Sequence, residues 1–250
     1  MNPVLLIGGS GAVGSRAARA LRQLQPGLPI TIGAREIGGA DTVKIDLDRK
    51  DLGLPAGAAH SAVVVLLKDP VLHSMRYAQA HGLPYVSFSD FVFDIGPEVA
   101  LYIRNPGAAP ILLLGQFLGG TAALAALHFA REFRRVDSIA IGGVLDGDDL
   151  GGPVAQADIE RLSRGAPRPL LREGGRFVWA GEAQATRRFI DADGIEREGQ
   201  AYPLLGLAGG APVAPGLYHP EELMDPAYVI ERLRGFGTEI RREAPTPRTA

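Results

Sequence analysis

The chain has 250 residues, 46% of them hydrophobic and 22% charged, and a formal net charge of −2. That length builds a sizeable core in one large or two small domains, and the charge balance offers no basic field for nucleic acid. Cysteine is absent, which excludes disulfides, thiolate nucleophiles and cysteine-based metal sites.

The chain opens on Pro3-Val4-Leu5-Leu6-Ile7, then Gly8-Gly9-Ser10-Gly11-Ala12-Val13-Gly14, then Ser15-Arg16-Ala17-Ala18-Arg19-Ala20-Leu21. This reads as a buried strand, a glycine-rich turn and a helix. Gly9, Gly11 and Gly14 make G-x-G-x-x-G, and Gly8, Gly11 and Gly14 make G-x-x-G-x-x-G. In either register the glycines permit a tight turn and let backbone N–H groups approach a pyrophosphate. The helix N-terminus adds unsatisfied donors and a positive dipole end. Strand before and helix after supply the context that such a motif requires. The short apolar start lacks a basic n-region, so it reads as a strand rather than a signal peptide, with a cytoplasmic location expected.

Gln25-Pro26-Gly27 stops the first helix, and Ile30-Thr31-Ile32 is a second strand ending at Gly33-Ala34-Arg35. An acid at that strand end bonds the 2′-hydroxyl of NAD, whereas an arginine nearby accommodates the 2′-phosphate of NADP. With Ala34 and Arg35 there, NADP is favoured over NAD, although Glu36 follows and a solvated Arg35 is the alternative. Val43-Lys44-Ile45-Asp46 is a short third strand. Asp46 either flanks the adenine or serves turn chemistry with Leu47-Asp48. Ala62 to Leu67 is a continuous apolar run, as expected of a strand buried on both faces. A helix from Val71 to Ala80 follows, then a fifth strand at Tyr85-Val86-Ser87-Phe88. Pro97 to Arg104 reads as a helix with Pro97 at its start, and Ile111 to Leu114 is a sixth strand.

Six strands alternating with helices imply a Rossmann-type, doubly wound parallel sheet in the order 3-2-1-4-5-6. The cleft then lies at the carboxyl ends of the strands. Gly8 to Gly14, Arg35, Leu66 to Asp69 and Ser87 to Asp90 should converge there. The uncharged span from Asn105 to Ala130 is broken by glycines and prolines. It reads as a strand at 110–114 and a buried helix at about 120–133 rather than a membrane span. Beyond it the expected strands are Val136–Val144, Arg176–Ala180, Thr186–Ile190 and Ile195–Ala201, with a helix at Pro153–Ser163. Pro226 to Leu233 is a further helix, stopped by Gly235 and Gly237. Thr238-Glu239-Ile240-Arg241 is expected to pair as a last strand, back on the first domain. The expected organisation is a dinucleotide-binding domain at 1–115, a smaller α+β substrate or dimerisation domain at 116–225, a returning helix and strand at 226–243, and a disordered tail at 244–250.

The pattern resembles the saccharopine dehydrogenase-like family of NAD(P)-binding oxidoreductases. The residues that carry the resemblance are Gly8–Gly14, Gly33-Ala34-Arg35, Val43–Asp48, His81-Gly82-Leu83-Pro84-Tyr85-Val86-Ser87, Gly115–Gly120 and Gly216–Glu221. The chain has Ser87 where the family usually has aspartate, and Leu118-Gly119-Gly120 where it has a glycine-proline turn. The resemblance implies a reductase or dehydrogenase acting on a small-molecule C=N, C=O or activated C=C bond, with a possible homodimer. The alternative is a non-catalytic NADP(H) sensor.

Other catalytic templates fail. There is no Tyr-x-x-x-Lys, no Gly-x-Ser-x-Gly and no His-Glu-x-x-His, and the histidines lack metal-ligand spacing. The catalytic candidates are Lys68, after the fourth strand, and His73, one turn into the next helix. Lys68 could bind a carboxylate or act as an acid, and His73 suits general acid work. The alternatives are a solvated loop lysine and a helix-surface histidine. Asp90 either orients a substrate or caps a helix. Cofactor contacts are expected from Gly8, Gly9, Ser10, Gly11, Ala12, Val13, Gly14, Ala34, Arg35, Asp46, Leu66 and Leu67.

Overall fold

The computed structural model describes residues 1–88, 92–114, 119–136 and 139, the strands at 170–173, 176–179, 188–190 and 196–198, and residues 213–240. The main body is a seven-stranded sheet. Its strands are β1 (Val4–Ile7), β2 (Ile30–Ala34), β3 (Thr42–Lys44), β4 (Ala62–Val65), β5 (Tyr85–Ser87), β6 (Pro110–Leu113) and a late strand, β11 (Gly216–Tyr218). The order is β3-β2-β1-β4-β5-β6-β11, and every pairing is parallel. The fold is therefore a Rossmann-type doubly wound α/β sheet, with the expected order 3-2-1-4-5-6 extended by one strand.

Register explains the two faces. Leu5, Val63, Tyr85, Ile111 and Leu217 form one row across the sheet. All five are at most 2% exposed and belong to one core cluster. Side chains alternate along a strand, so Leu6 and Val64 point the other way, into a second cluster with Ala18, Leu21 and Ile30. Helix α1 (Ala12–Leu24) covers that second face. Helices α2 (His73–Ala80) and α3 (Val92–Arg104) cover the first, through Met75, Ala78, Val99 and Leu101.

Several element boundaries differ from the sequence reading for identifiable reasons. Helix α2 starts at His73 rather than Val71 because Leu72 adopts a left-handed backbone, φ 57°. Asp69 Oδ2 then caps the helix by accepting from the Ser74 amide at 2.8 Å. Helix α3 begins at Val92, so Pro97 lies inside it rather than at its start. The helix forgoes one backbone bond there, since proline has no N–H.

The last strand of the sheet is also not where it was expected. Residues 238–240 form no strand. The Thr238 amide instead donates to the Leu233 carbonyl at 3.0 Å, closing the end of α6 (Pro226–Gly235) over Gly237 at φ 86°. A left-handed glycine beyond the last turn is the usual way to satisfy terminal carbonyls. The strand that rejoins the sheet is β11, inside the segment assigned to the second domain. From it the chain enters α5 (Pro220–Leu223) and α6, which pack on α4 (Thr121–Ala130). The contact is close: a Cβ on Gly120 would lie 2.6 Å from Pro220 Cγ.

In the intervening region, β7 (Leu170–Glu173) pairs antiparallel with β8 (Arg176–Trp179), and β9 (Arg188–Ile190) with β10 (Glu196–Glu198). β8, β9 and β10 correspond to three of the expected strands, whereas β7 was not expected. Asp90, Gly115–Leu118, Pro153–Ser163, most of Val136–Val144 and the tail at 244–250 lie outside the described residues. Among the described residues no helix is long and apolar enough to cross a membrane.

Two measurements test this arrangement. Leu217 is 2% exposed in the core row, so Leu217→Ala should cost about 2–5 kcal/mol, the range for buried leucines. A urea midpoint within error of the parent would refute the seventh strand. His60, packed under Tyr77 with Nδ1 3.3 Å from its hydroxyl, has its pKa lowered by burial and by nearby His81. The unfolded chain therefore binds more protons between that lowered value and an unfolded value near 6.5. Stability should fall as pH drops through that window, and His60→Asn should flatten the dependence.

Candidate functional site

The carboxyl ends of the strands form a continuous edge. Gly33, Ile7, Val65, Ser87 and Leu113 stand side by side in register. One residue further, the ladder continues: the Gly8 amide donates to Gly33, the Leu66 amide to Ile7 and the Leu114 amide to Ser87, at 2.9, 2.9 and 2.7 Å. This is the edge at which a doubly wound sheet binds ligands.

The glycine turn sits on it. Gly8 takes φ +82°, and a Cβ there would lie 3.2 Å from Leu67 Cδ2 and 3.3 Å from the Leu66 carbonyl carbon. The Gly11 amide donates to the Gly8 carbonyl at 3.0 Å, closing the turn. Gly14, in the first turn of α1, has no room for a side chain: a Cβ would collide with the Gly8 carbonyl oxygen and lie 2.6 Å from Gly9 Cα. The first intrahelical bond runs from the Ser15 amide to Gly11. The amides of Ala12, Val13 and Gly14 consequently lack intrahelical acceptors. Ser10, Gly11, Ala12 and Val13 are exposed, while Gly9 and Gly14 are buried. This is a row of donors at a helix N-terminus, with close backbone approach allowed by glycine, and such a terminus suits an anionic group such as a pyrophosphate.

The remaining candidates distribute as follows. Ala34 is buried at the end of β2, and the exposed Arg35 follows it. Asp46 follows β3, and its Oδ1 accepts from the Asp48 amide at 3.0 Å, a local Asx turn. Leu66 and Leu67 are half-buried against Gly8. His73 is tethered: its Nδ1 lies 2.8 Å from the Leu47 carbonyl oxygen, joining α2 to the loop after β3. Lys68 lines a cavity that His73 does not.

That cavity, about 100 Å³, lies on the α2/α3 side of the edge. Its lining includes Leu67, Lys68, Asp69, Tyr85, Ser87 and Glu98. Four of the polar residues there are at least 92% buried, with Asp69 8%, Tyr85 1%, Ser87 2% and Glu98 2% exposed. Asp69 Oδ2 accepts from both the amide and the hydroxyl of Ser74, at 2.8 and 2.5 Å. The Tyr85 hydroxyl donates to Glu98 Oε1 at 3.4 Å. Burial, and secondarily the Glu98 charge, raise the Tyr85 pKa well above its ordinary value, so the phenol stays a proton donor. Sequence reading did not single out Ser74, Tyr85 or Glu98 as a site. The available signal was Glu98 itself, an acid set directly before Val99 in a helix whose next buried residue is Leu101.

No protein-family model matches the chain, and no curated protein matches it. Among solved structures, a crystal structure of UDP-galactose 4-epimerase is similar over 55% of this chain and 65% of that one, at 14% identity and a TM-score of 0.33. The fold assignment rests on strand order and register.

The geometry of the turn makes a stability prediction. Gly14→Ala places a methyl group on the Gly8 carbonyl and should cost about 1–3 kcal/mol, as overpacking does. Gly27→Ala, which meets nothing within 4 Å, is the control. Equal thermal midpoints for the two variants would refute the close helix–turn contact.

Proposed function

We propose that the chain is an NADP-dependent oxidoreductase that transfers a hydride between the nicotinamide and a small-molecule C=N, C=O or activated C=C bond. The observation that carries this reading is the turn at Gly8–Gly14, where the Gly8 carbonyl leaves no room for a side chain at Gly14 and the amides of Ala12 to Gly14 lack intrahelical acceptors. The residues fit a dinucleotide: the turn would hold the pyrophosphate through backbone donors. Arg35, exposed after a strand end that carries no acid, would meet a 2′-phosphate with a charge-assisted pair. Ala34 would lie under the adenosine ribose, and Asp46 beside the adenine through whatever its Asx turn leaves available. Leu66 and Leu67 would wall the far end of the groove.

When bound, the cofactor supplies the hydride chemistry; the protein's part is to bind, orient and move a proton. Lys68 is the proposed proton carrier, because it lies directly after Leu67 and lines the cavity behind it. His73, held by the Leu47 carbonyl, presents only its second ring nitrogen and is the alternative.

Fluorescence titration tests the cofactor assignment. NADPH should bind more tightly than NADH, and Arg35→Ala should weaken NADPH about tenfold or more while leaving NADH unchanged, since a hydrogen bond to a charged group contributes about 1.5–3 kcal/mol. Equal affinity for both, or none for either, would sink the assignment. NADPH binding without consumption across imine, ketone and enone panels would favour a sensor of the NADP/NADPH ratio over an enzyme.

A further inference from the structure

The cavity behind Leu67 has chemistry of its own. Its lining is rich in acceptors: two carboxylates, Asp69 and Glu98, a serine hydroxyl and a phenol, against one ammonium, that of Lys68. Asp69 is 92% buried, being 8% exposed. Ser74 engages only its Oδ2, and Oδ1 has no hydrogen-bond partner among the described residues. A buried carboxylate oxygen without a donor is costly, and the ordinary solutions are a proton, a water or a cation.

We propose that this cavity binds a compact monovalent cation of the ammonium class, held by Asp69 Oδ1 and the Glu98 carboxylate. The source is either the free ion or the primary ammonium of a small molecule. The volume, about 100 Å³, exceeds the roughly 10–15 Å³ that one water needs. It accommodates an ammonium with a short alkyl stem or with residual waters. The ratio of two carboxylates to one ammonium disfavours an anion. Calcium is disfavoured too, because it takes about six to eight oxygen ligands. No group of three or more His, Asp or Glu able to hold a metal occurs among the described residues. The proposal does not depend on the dinucleotide reading, because the binding is a property of the chain alone.

The test is the thermal midpoint of the full chain in ammonium, methylammonium, potassium and tetramethylammonium chlorides at equal ionic strength. Tetramethylammonium carries the same charge without an N–H donor. The expected result is a saturable rise of the midpoint in ammonium or methylammonium above tetramethylammonium. A response to ammonium and potassium alone identifies the free ion as the source. A methylammonium response equal to or larger than that of ammonium identifies an organic amine. Asp69→Asn and Glu98→Gln, each checked for folding by circular dichroism, should abolish the difference. Lys68→Ala removes the competing charge and should lower the half-saturating concentration several-fold. Equal midpoints for the wild-type chain in all four salts overturn the proposal, whatever the variants do. So does a difference that survives in both carboxylate variants, or a response gained only on removing Lys68, which would make Lys68 itself the cavity's cation.

Discussion

The contact between Gly14 and the Gly8 carbonyl is the constraint on which the carboxyl edge of the sheet depends. It sets how closely α1 can lie against the end of β1. A single methyl group at Gly14 would push the helix away and carry the amides of Ala12 and Val13 with it. The same Gly8 is pinned on its other sides, by the hydrogen bond from its amide to the Gly33 carbonyl on β2 and by the leucines that follow β4. One residue thus ties together the turn, β2 and the strand on the far side of the switch point.

Behind the edge the protein spends burial on polar groups. Asp69 does two things at once: one oxygen stops the α2 N-terminus from fraying, and the other is left facing a cavity. Leu72 takes its left-handed backbone inside this turn, between Asp69 and the Ser74 amide that Asp69 caps. Left-handed backbone at a branched residue is costly, and Leu72 is accordingly buried in the main cluster. The tether from His73 to Leu47 then fixes this loop to the loop after β3. The glycine turn and the polar cavity are neighbours sharing Leu67, which lies against Gly8 and also lines the cavity.

The sheet is completed from far along the chain. β11 adds at the β6 edge and buries Leu217 in the row that begins with Leu5, and the two helices after it cover α4. The region between α4 and β11 is therefore an insertion between neighbouring strands of one sheet, whatever further architecture it has. A parallel addition with a long connection is compatible with the handedness of such sheets, and it protects β6 from being an open edge.

Local pattern by itself determined the first six strands, their order, the glycine turn and α1. These signals are carried within a few residues: apolar runs of strand length, glycines at fixed spacing, a helix directly after them. The exposed Arg35 beyond Ala34 was legible for the same reason. Only the tertiary structure decided that Gly216–Tyr218, a three-residue strand too short to announce itself, is the seventh strand. It likewise decided that Thr238 closes a helix instead of extending a sheet, because a left-handed Gly237 turns the chain back onto the Leu233 carbonyl. Asp69 and Ser87 were expected at this edge, but the cavity that Tyr85 and Glu98 complete was hidden for a related reason. Its members come from a loop, a strand and a helix, and only packing across the sheet face brings two carboxylates to one place, where burial rather than spacing gives them their chemistry.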